Sequence, residues 1–171
     1  MSLEPRPTRQ DDQPSKQMQA FEQASKKLLM RAKEADTAYG IAVDSRIEDI
    51  DEWSHSAEVE LVDHFEVVWA GDAETDLETL DRLAAQWEEL PEEEVLHEIA
   101  LSWGALAGER IVEAVGGAWV YRSDPLHHTV VFPRQGVAFF PMHAIVARFM
   151  LGDNAGIEAA YHQLVEFLTE T

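Results

Sequence analysis

Apolar residues recur at three-, four- and seven-residue steps through the first two thirds of the chain, a spacing that places them on one face of an α-helix. The pattern predicts five helices: one over residues 15–38, a short one that begins at the capping box Ser45–Glu48, one over residues 58–70, one that begins at the capping box Thr75–Glu78, and a long one from Pro91 to about Val115. The stretch 58–70 also fits the alternation of a strand, but the helical spacing fits it better.

After Gly116-Gly117 the apolar period changes to two, which is typical of β-strands. Three short strands are predicted, at Ala118–Tyr121, Thr129–Pro133 and Val137–Phe140. An antiparallel meander is the simplest way to connect them. Helices over Met142–Leu151 and Ile157–Leu168 complete the pattern.

The predicted fold class is therefore α+β, with a mostly helical N-terminal two-thirds packed on a small three-stranded antiparallel meander and two C-terminal helices after it. A chain of 171 residues is long enough for one domain with a sizeable core. We expect a disordered leader over residues 1–14 and a single domain over residues 15–171.

Charge is distributed unevenly along the chain, whose formal net charge is −20. Residues 41–100 carry twenty acidic and two basic groups. Residues 1–40 carry six acidic and seven basic groups, and the basic groups include all four lysines. Binding to nucleic acid is not expected, because it requires clustered lysine and arginine. An acidic block this dense exceeds what solubility requires and indicates either a solvated surface or a docking surface for a basic partner.

Several classes of function find no support in the sequence. The chain has no cysteine, no apolar leader and no apolar run long enough to span a membrane, so we expect a cytoplasmic protein. Zinc-protease, nucleophile-elbow and phosphate-loop motifs are absent, and we expect no metal and no cofactor. A metal site assembled in space from His128, His143 and Glu109 stays open as a minor alternative.

The long helix carries Gly104 and Gly108 four residues apart, which allows another backbone to approach closely. Glycine inside a helix is less favourable than alanine by about 1 kcal/mol, so a packing or binding role is expected. Packing is the first interpretation. A ligand cleft between this helix and the sheet is the second, and it would be lined by Trp103, Gly104, Gly108, Glu109, Trp119, Phe140, His143 and Arg148.

The order Gly104-x-x-x-Gly108-Glu109, Gly116-Gly117-Ala118-Trp119, the prolines Pro133 and Pro141, and then Arg148–Gly152 resembles an uncharacterised family of bacterial domains of unknown function. The similarity covers about residues 40–168 and departs from the family's pattern at residues 105–107, where an aromatic residue is usual. The resemblance implies a bacterial cytosolic protein and does not imply a particular activity.

Our leading hypothesis is a non-enzymatic acidic binding protein, comparable to an adaptor or an immunity protein, whose partner is a basic protein. The acidic run would form the partner surface, with Glu88, Glu89, Glu92, Glu93 and Glu94 at its centre. The alternative is a small-ligand-binding protein or a hydrolase that uses the predicted cleft. A third hypothesis is a homo-oligomer in which the lysine-bearing segment 15–38 pairs with the acidic block of a second copy.

Overall fold

A computed structural model describes residues 44–122 and 124–170 of the chain. The predicted leader 1–14, the predicted helix 15–38 and the side chain of Ser45 lie outside the described residues. The described part contains five α-helices: α1 (Asp44–Phe65), α2 (Ala73–Ala85), α3 (Glu93–Ile111), α4 (Pro141–Leu151) and α5 (Ile157–Thr169). A π-helical turn, Val112–Gly116, continues α3.

Three short strands lie between α3 and α4, and they form the predicted antiparallel meander in the order β1-β2-β3. They are β1 (Ala118–Val120), β2 (Thr129–Phe132) and β3 (Val137–Phe139). Trp119 lies opposite Val130, and Val130 lies opposite Phe139. The α+β class predicted from the sequence is thus confirmed.

The predicted break between a short helix at Ser45 and a second helix over 58–70 is wrong, because residues 44–65 form one continuous helix. No glycine or proline interrupts this stretch. The helix ends where Glu66 takes a left-handed conformation, with φ of 54°. The next residues have no regular secondary structure. Trp69, which fitted the helical stripe, packs on the core and donates its indole N–H to the carbonyl oxygen of Glu58 at 3.0 Å.

The N-cap of α2 is also different from the predicted one. Asp72, not Thr75, occupies the N-cap position, and its carboxylate accepts a hydrogen bond from the Thr75 backbone N–H at 2.8 Å. Aspartate and threonine are both favoured caps, so the local pattern alone does not separate the two choices. The side chain of Asp76, which lies inside the predicted capping box, is buried, and this tertiary contact decides in favour of the cap at Asp72.

The core lies around α3, which packs against α1 on one side and against α4 on the other. Ala100, Leu106, Ala107 and Ile111 of this helix are fully buried. The sheet adds Val130, Phe132 and Phe139 to the same cluster. A smaller cluster of Val120 and Val131, with Ala138 packed against it, lies apart from the main core.

A buried ion pair joins the first three helices. Asp76 on α2 accepts a hydrogen bond from Arg110 Nε on α3 at 2.7 Å, and it also accepts the backbone N–H groups of Ala70 and Gly71 at 2.9 and 3.0 Å. Arg110 reaches α1 through a 3.1 Å bond to Glu58. The side chain of Asp76 is 1% exposed, so this pair is largely removed from water.

A second arginine organises the C-terminal helices. Arg148 on α4 donates to the Asp81 carboxylate on α2 at 3.0 Å. That same carboxylate accepts the backbone N–H groups of Ile157 and Glu158 at 2.8 and 3.0 Å, so Asp81 satisfies two of the free donors at the start of α5. The link fixes the start of α5 against α2.

Replacing Asp76 with alanine should lower the free energy of unfolding by about 3–5 kcal/mol, because the change leaves Arg110 buried without its closest counter-charge and two backbone donors without an acceptor. Urea denaturation followed by circular dichroism measures the loss. Glu78→Ala is the matched control on the exposed face of α2, where we expect a change within about 0.5 kcal/mol. Equal losses in the two variants would contradict a structural role for the pair.

Candidate functional site

Exposed carboxylates are concentrated in the part of the chain that runs from α1 through α2 into α3. We call these carboxylates the acidic surface. Of the nineteen acidic residues from Glu48 to Glu98, fifteen are exposed. They are Glu48, Asp51, Glu52, Glu60, Asp63, Glu66, Asp72, Glu74, Glu78, Glu88, Glu89, Glu92, Glu93, Glu94 and Glu98.

The arginines of the described residues do not neutralise this surface. Arg110 is paired with Asp76 and Glu58, and Arg148 is paired with Asp81 and Asp153. None of those four carboxylates belongs to the fifteen. Within residues 48–122 and 124–170, no member of the acidic surface forms an ion pair with an arginine or a lysine. Arg82 on α2 is exposed and donates a hydrogen bond to Thr79 of the same helix.

Exposed apolar side chains occur in the same part of the chain. Among the described residues eight large hydrophobic side chains are exposed, and seven of them lie between Val59 and Val95. The seven are Val59, Val62, Phe65, Val68, Trp87, Leu90 and Val95. Single exposed apolar residues need no explanation, whereas a contiguous group of them is a feature of interaction sites.

A recess of about 280 Å³ lies between the end of α2 and the end of α4, within the acidic surface. Trp87, Leu90, Glu88 and Glu89 line one part of it, and Arg148, Phe149 and Asp153 line another. The rings of Trp87 and Phe149 meet edge to face, with their centres 5.9 Å apart. The structure thus brings Glu88 and Glu89 of the predicted partner surface next to Arg148 of the predicted cleft. Glu92, Glu93 and Glu94 follow at the exposed start of α3.

The two glycines of α3 lie against neighbouring side chains. A Cβ atom at Gly104 would be 2.8 Å from the backbone of Met142, and one at Gly108 would be 2.2 Å from the indole of Trp119. Close packing therefore explains both glycines. Trp103 is buried on this helix and packs on Phe149, with ring centres 5.5 Å apart.

Glu109 is half-buried, and its partner is Trp119, whose indole Nε1 donates a 2.7 Å hydrogen bond to the Glu109 carboxylate. The arginines Arg110 and Arg148 are paired with the carboxylates of Asp76 and Asp81 instead. Burial raises the pKa of Glu109, and the charges of Asp51 and Glu113 raise it further, whereas the Trp119 bond acts in the opposite direction.

A negative potential therefore surrounds Glu109. It extends to Tyr121, whose pKa is raised to about 12 by burial and by the charges of Glu109 and Asp51. These groups lie at the C-terminal half of α3 and beside the first strand, away from the recess between α2 and α4.

Three histidines lie near the sheet, in a stretch that contains no metal-binding motif. His143 Nε2 lies 2.9 Å from His127 Nδ1, and the Phe140 ring stacks on His143 with a centre distance of 5.5 Å. His127 Nε2 is 3.6 Å from Asp124. His128 Nδ1 instead accepts the backbone N–H of Arg122 at 3.0 Å. Burial lowers the pKa of His143 to about 4, and the neighbouring His127 also lowers it.

One juxtaposition was not predicted from the sequence. His162 and Glu158 on α5 meet Glu74 in the first turn of α2, with His162 Nε2 lying 3.3 Å from Glu158 and 3.6 Å from Glu74. Glu158 and His162 are four residues apart, and this spacing was the available signal. Glu74 is far away in sequence, so only the tertiary packing of α2 against α5 reveals it.

A wider groove of about 590 Å³ lies between the C-terminal end of α5 and the turn that joins β2 to β3. Its walls are mainly apolar, and Arg134 is its charged lining residue. None of the predicted site residues lines it.

Comparison with protein-family models, with curated proteins and with solved structures gives no match for this chain. The helices of the described residues include none with the length and apolar character needed to cross a membrane.

His143 should make stability depend on pH. Its pKa is about 4 in the folded protein and about 6.5 when unfolded, so the unfolded state binds more protons between these values and stability falls as pH falls through this window. The difference corresponds to a loss of up to about 3 kcal/mol. Urea unfolding between pH 7 and pH 4 measures it.

The variant His143→Gln should flatten this pH dependence, whatever its stability at pH 7. His55→Gln, which removes an exposed histidine from α1, should leave the slope unchanged. The assignment to His143 is wrong if both variants keep the slope of the wild-type protein.

Proposed function

We propose that this chain is a non-enzymatic binding protein whose acidic surface docks a basic protein partner. The observation that carries the proposal is the coincidence of fifteen exposed carboxylates with seven exposed large apolar side chains in residues 48–98. Carboxylates alone fit a solvated surface equally well. Their mixture with exposed Trp87, Leu90 and Phe65 fits an interface better.

The two kinds of side chain would have different tasks. The negative field raises the rate at which a basic partner arrives and disfavours acidic competitors. The apolar side chains supply the area that is removed from water in the complex, and aromatic residues such as Trp87 commonly carry much of the affinity. Charge would therefore set the rate and selectivity, whereas apolar contact would set the lifetime.

The recess beside Trp87 offers a place for an anchoring side chain. Glu88 and Glu89 lie at its edge, and the charge of Arg148 in its wall is already balanced by Asp81 and Asp153. A lysine or arginine of the partner would meet carboxylates and an aromatic ring there, which is a favourable environment for a cation.

The alternative of a ligand cleft at Gly104 and Gly108 has less support. Met142 and Trp119 occupy the space next to these glycines. Arg148 is paired with Asp81. The eight residues predicted for the cleft therefore contribute to several separate contacts, which favours the surface proposal.

The test is affinity capture from the native lysate at low and at raised salt, with the variant Glu88→Lys/Glu89→Lys beside the wild-type protein. The wild-type protein should retain a basic partner at low salt and lose part of it as salt screens the charges. The variant should recover at least several-fold less of that partner, because it reverses charge at the recess.

A matched control separates a specific surface from bulk charge. Glu166→Lys/Glu170→Lys makes the same change in net charge at exposed positions near the end of α5. This control should bind like the wild-type protein. Equal losses in the two double variants, or a captured partner that raised salt leaves unaffected, would rule out the acidic surface as the docking site.

A further inference from the structure

Glu74, Glu158 and His162 come together on the surface where α2 meets α5. One potential ligand atom from each side chain lies within 4.8 Å of the other two. His162 Nε2 faces both carboxylates, at 3.3 Å from Glu158 Oε1 and 3.6 Å from Glu74 Oε1. All three are at least partly open to water, with side-chain exposures of 65% for Glu74, 29% for Glu158 and 49% for His162.

The backbone that presents these ligands is held by interactions that do not involve them. Asp81 on α2 accepts the backbone N–H groups of Ile157 and Glu158, and Arg148 fixes the Asp81 carboxylate at 3.0 Å. The start of α5 is therefore tied to α2 at Asp81, about two turns from Glu74. Glu158 and His162 then share one face of α5, because residues four apart are neighbours on a helix.

The chemistry of this set favours a transition metal over the alkaline-earth ions. Imidazole nitrogen with carboxylate oxygen is a common zinc ligand set, whereas Ca²⁺ and Mg²⁺ take oxygen ligands. Among the described side chains, neither Glu74 nor Glu158 is paired with an arginine or a lysine. Two carboxylates that lie this close to each other gain from a shared divalent cation.

We propose that Glu74, Glu158 and His162 form a Zn²⁺ site that bridges α2 and α5, with water in the remaining coordination positions. Three protein ligands satisfy the minimum for a tetrahedral zinc ion with one open position. Glu74 also belongs to the acidic surface, whereas Glu158 and His162 lie outside it.

The test is isothermal titration of the untagged full-length chain with zinc chloride, together with thermal unfolding in the presence and absence of zinc. The wild-type protein should bind one Zn²⁺ per chain at this site and should melt several degrees higher with zinc, because the metal binds the folded state across two helices. Magnesium chloride at the same concentration should produce no comparable shift.

Single substitutions locate the site. His162→Gln should weaken zinc binding by at least about 10-fold, since loss of an outer-shell partner alone costs about 10- to 100-fold and His162 is a ligand. Glu74→Gln should also weaken it, which would show that the ligands come from both helices. Neither change should unfold the protein, because both side chains are exposed.

His97→Gln is the matched control. His97 is exposed on α3 and has Glu93 four residues before it, which copies the Glu158–His162 spacing, but the described residues place no third ligand beside it. Its removal should leave the zinc affinity of the Glu74 site unchanged. The proposal is overturned if the wild-type protein binds no zinc, if His162→Gln and Glu74→Gln bind it as tightly as the wild-type protein, or if His97→Gln abolishes the binding.

Discussion

The salt bridge between Asp76 and Arg110 is the constraint on which the arrangement of the first three helices depends. Arg110 also reaches Glu58, so one guanidinium group holds α1, α2 and α3 at a single point. A buried charge without a partner is strongly destabilising, so the positions of these helices are coupled. Arg148 has the same role for α2, α4 and the start of α5. Two of the chain's arginines thus organise internal carboxylates, whereas the fifteen exposed carboxylates form no ion pair with an arginine or a lysine among the described residues.

Much of the fold is predictable from local patterns. The change of apolar period after Gly116 locates the sheet, and the helical spacing locates α3 and α5, because each element buries one face. The errors occur where tertiary contacts outweigh local signals. Trp69 fits a helical stripe but belongs to a non-helical segment that packs on the core. Thr75 fits a capping box, although Asp72 is the cap. Neither outcome follows from spacing alone.

The candidate sites also differ in whether the sequence or only the tertiary structure reveals them. The acidic surface is visible in the sequence, because exposed charge is a local property of residues such as Glu88 and Glu92. The indole partner of Glu109, the contact between His143 and His127, and the meeting of Glu74 with His162 depend on how distant elements pack. Side chains that meet across elements have no fixed separation in the sequence, so motif searches do not detect them.

The outer charge also links stability to binding. Like charges close together on a surface repel one another, and this self-repulsion destabilises the folded chain. Any bound counter-charge relieves it, whether a basic partner beside Glu88 or a divalent cation beside Glu74. Salt relieves it as well, but salt also weakens attraction to a basic partner. Screening therefore stabilises the free protein and weakens its complex. A surface selected only for solubility would require no such density of carboxylates among exposed apolar side chains.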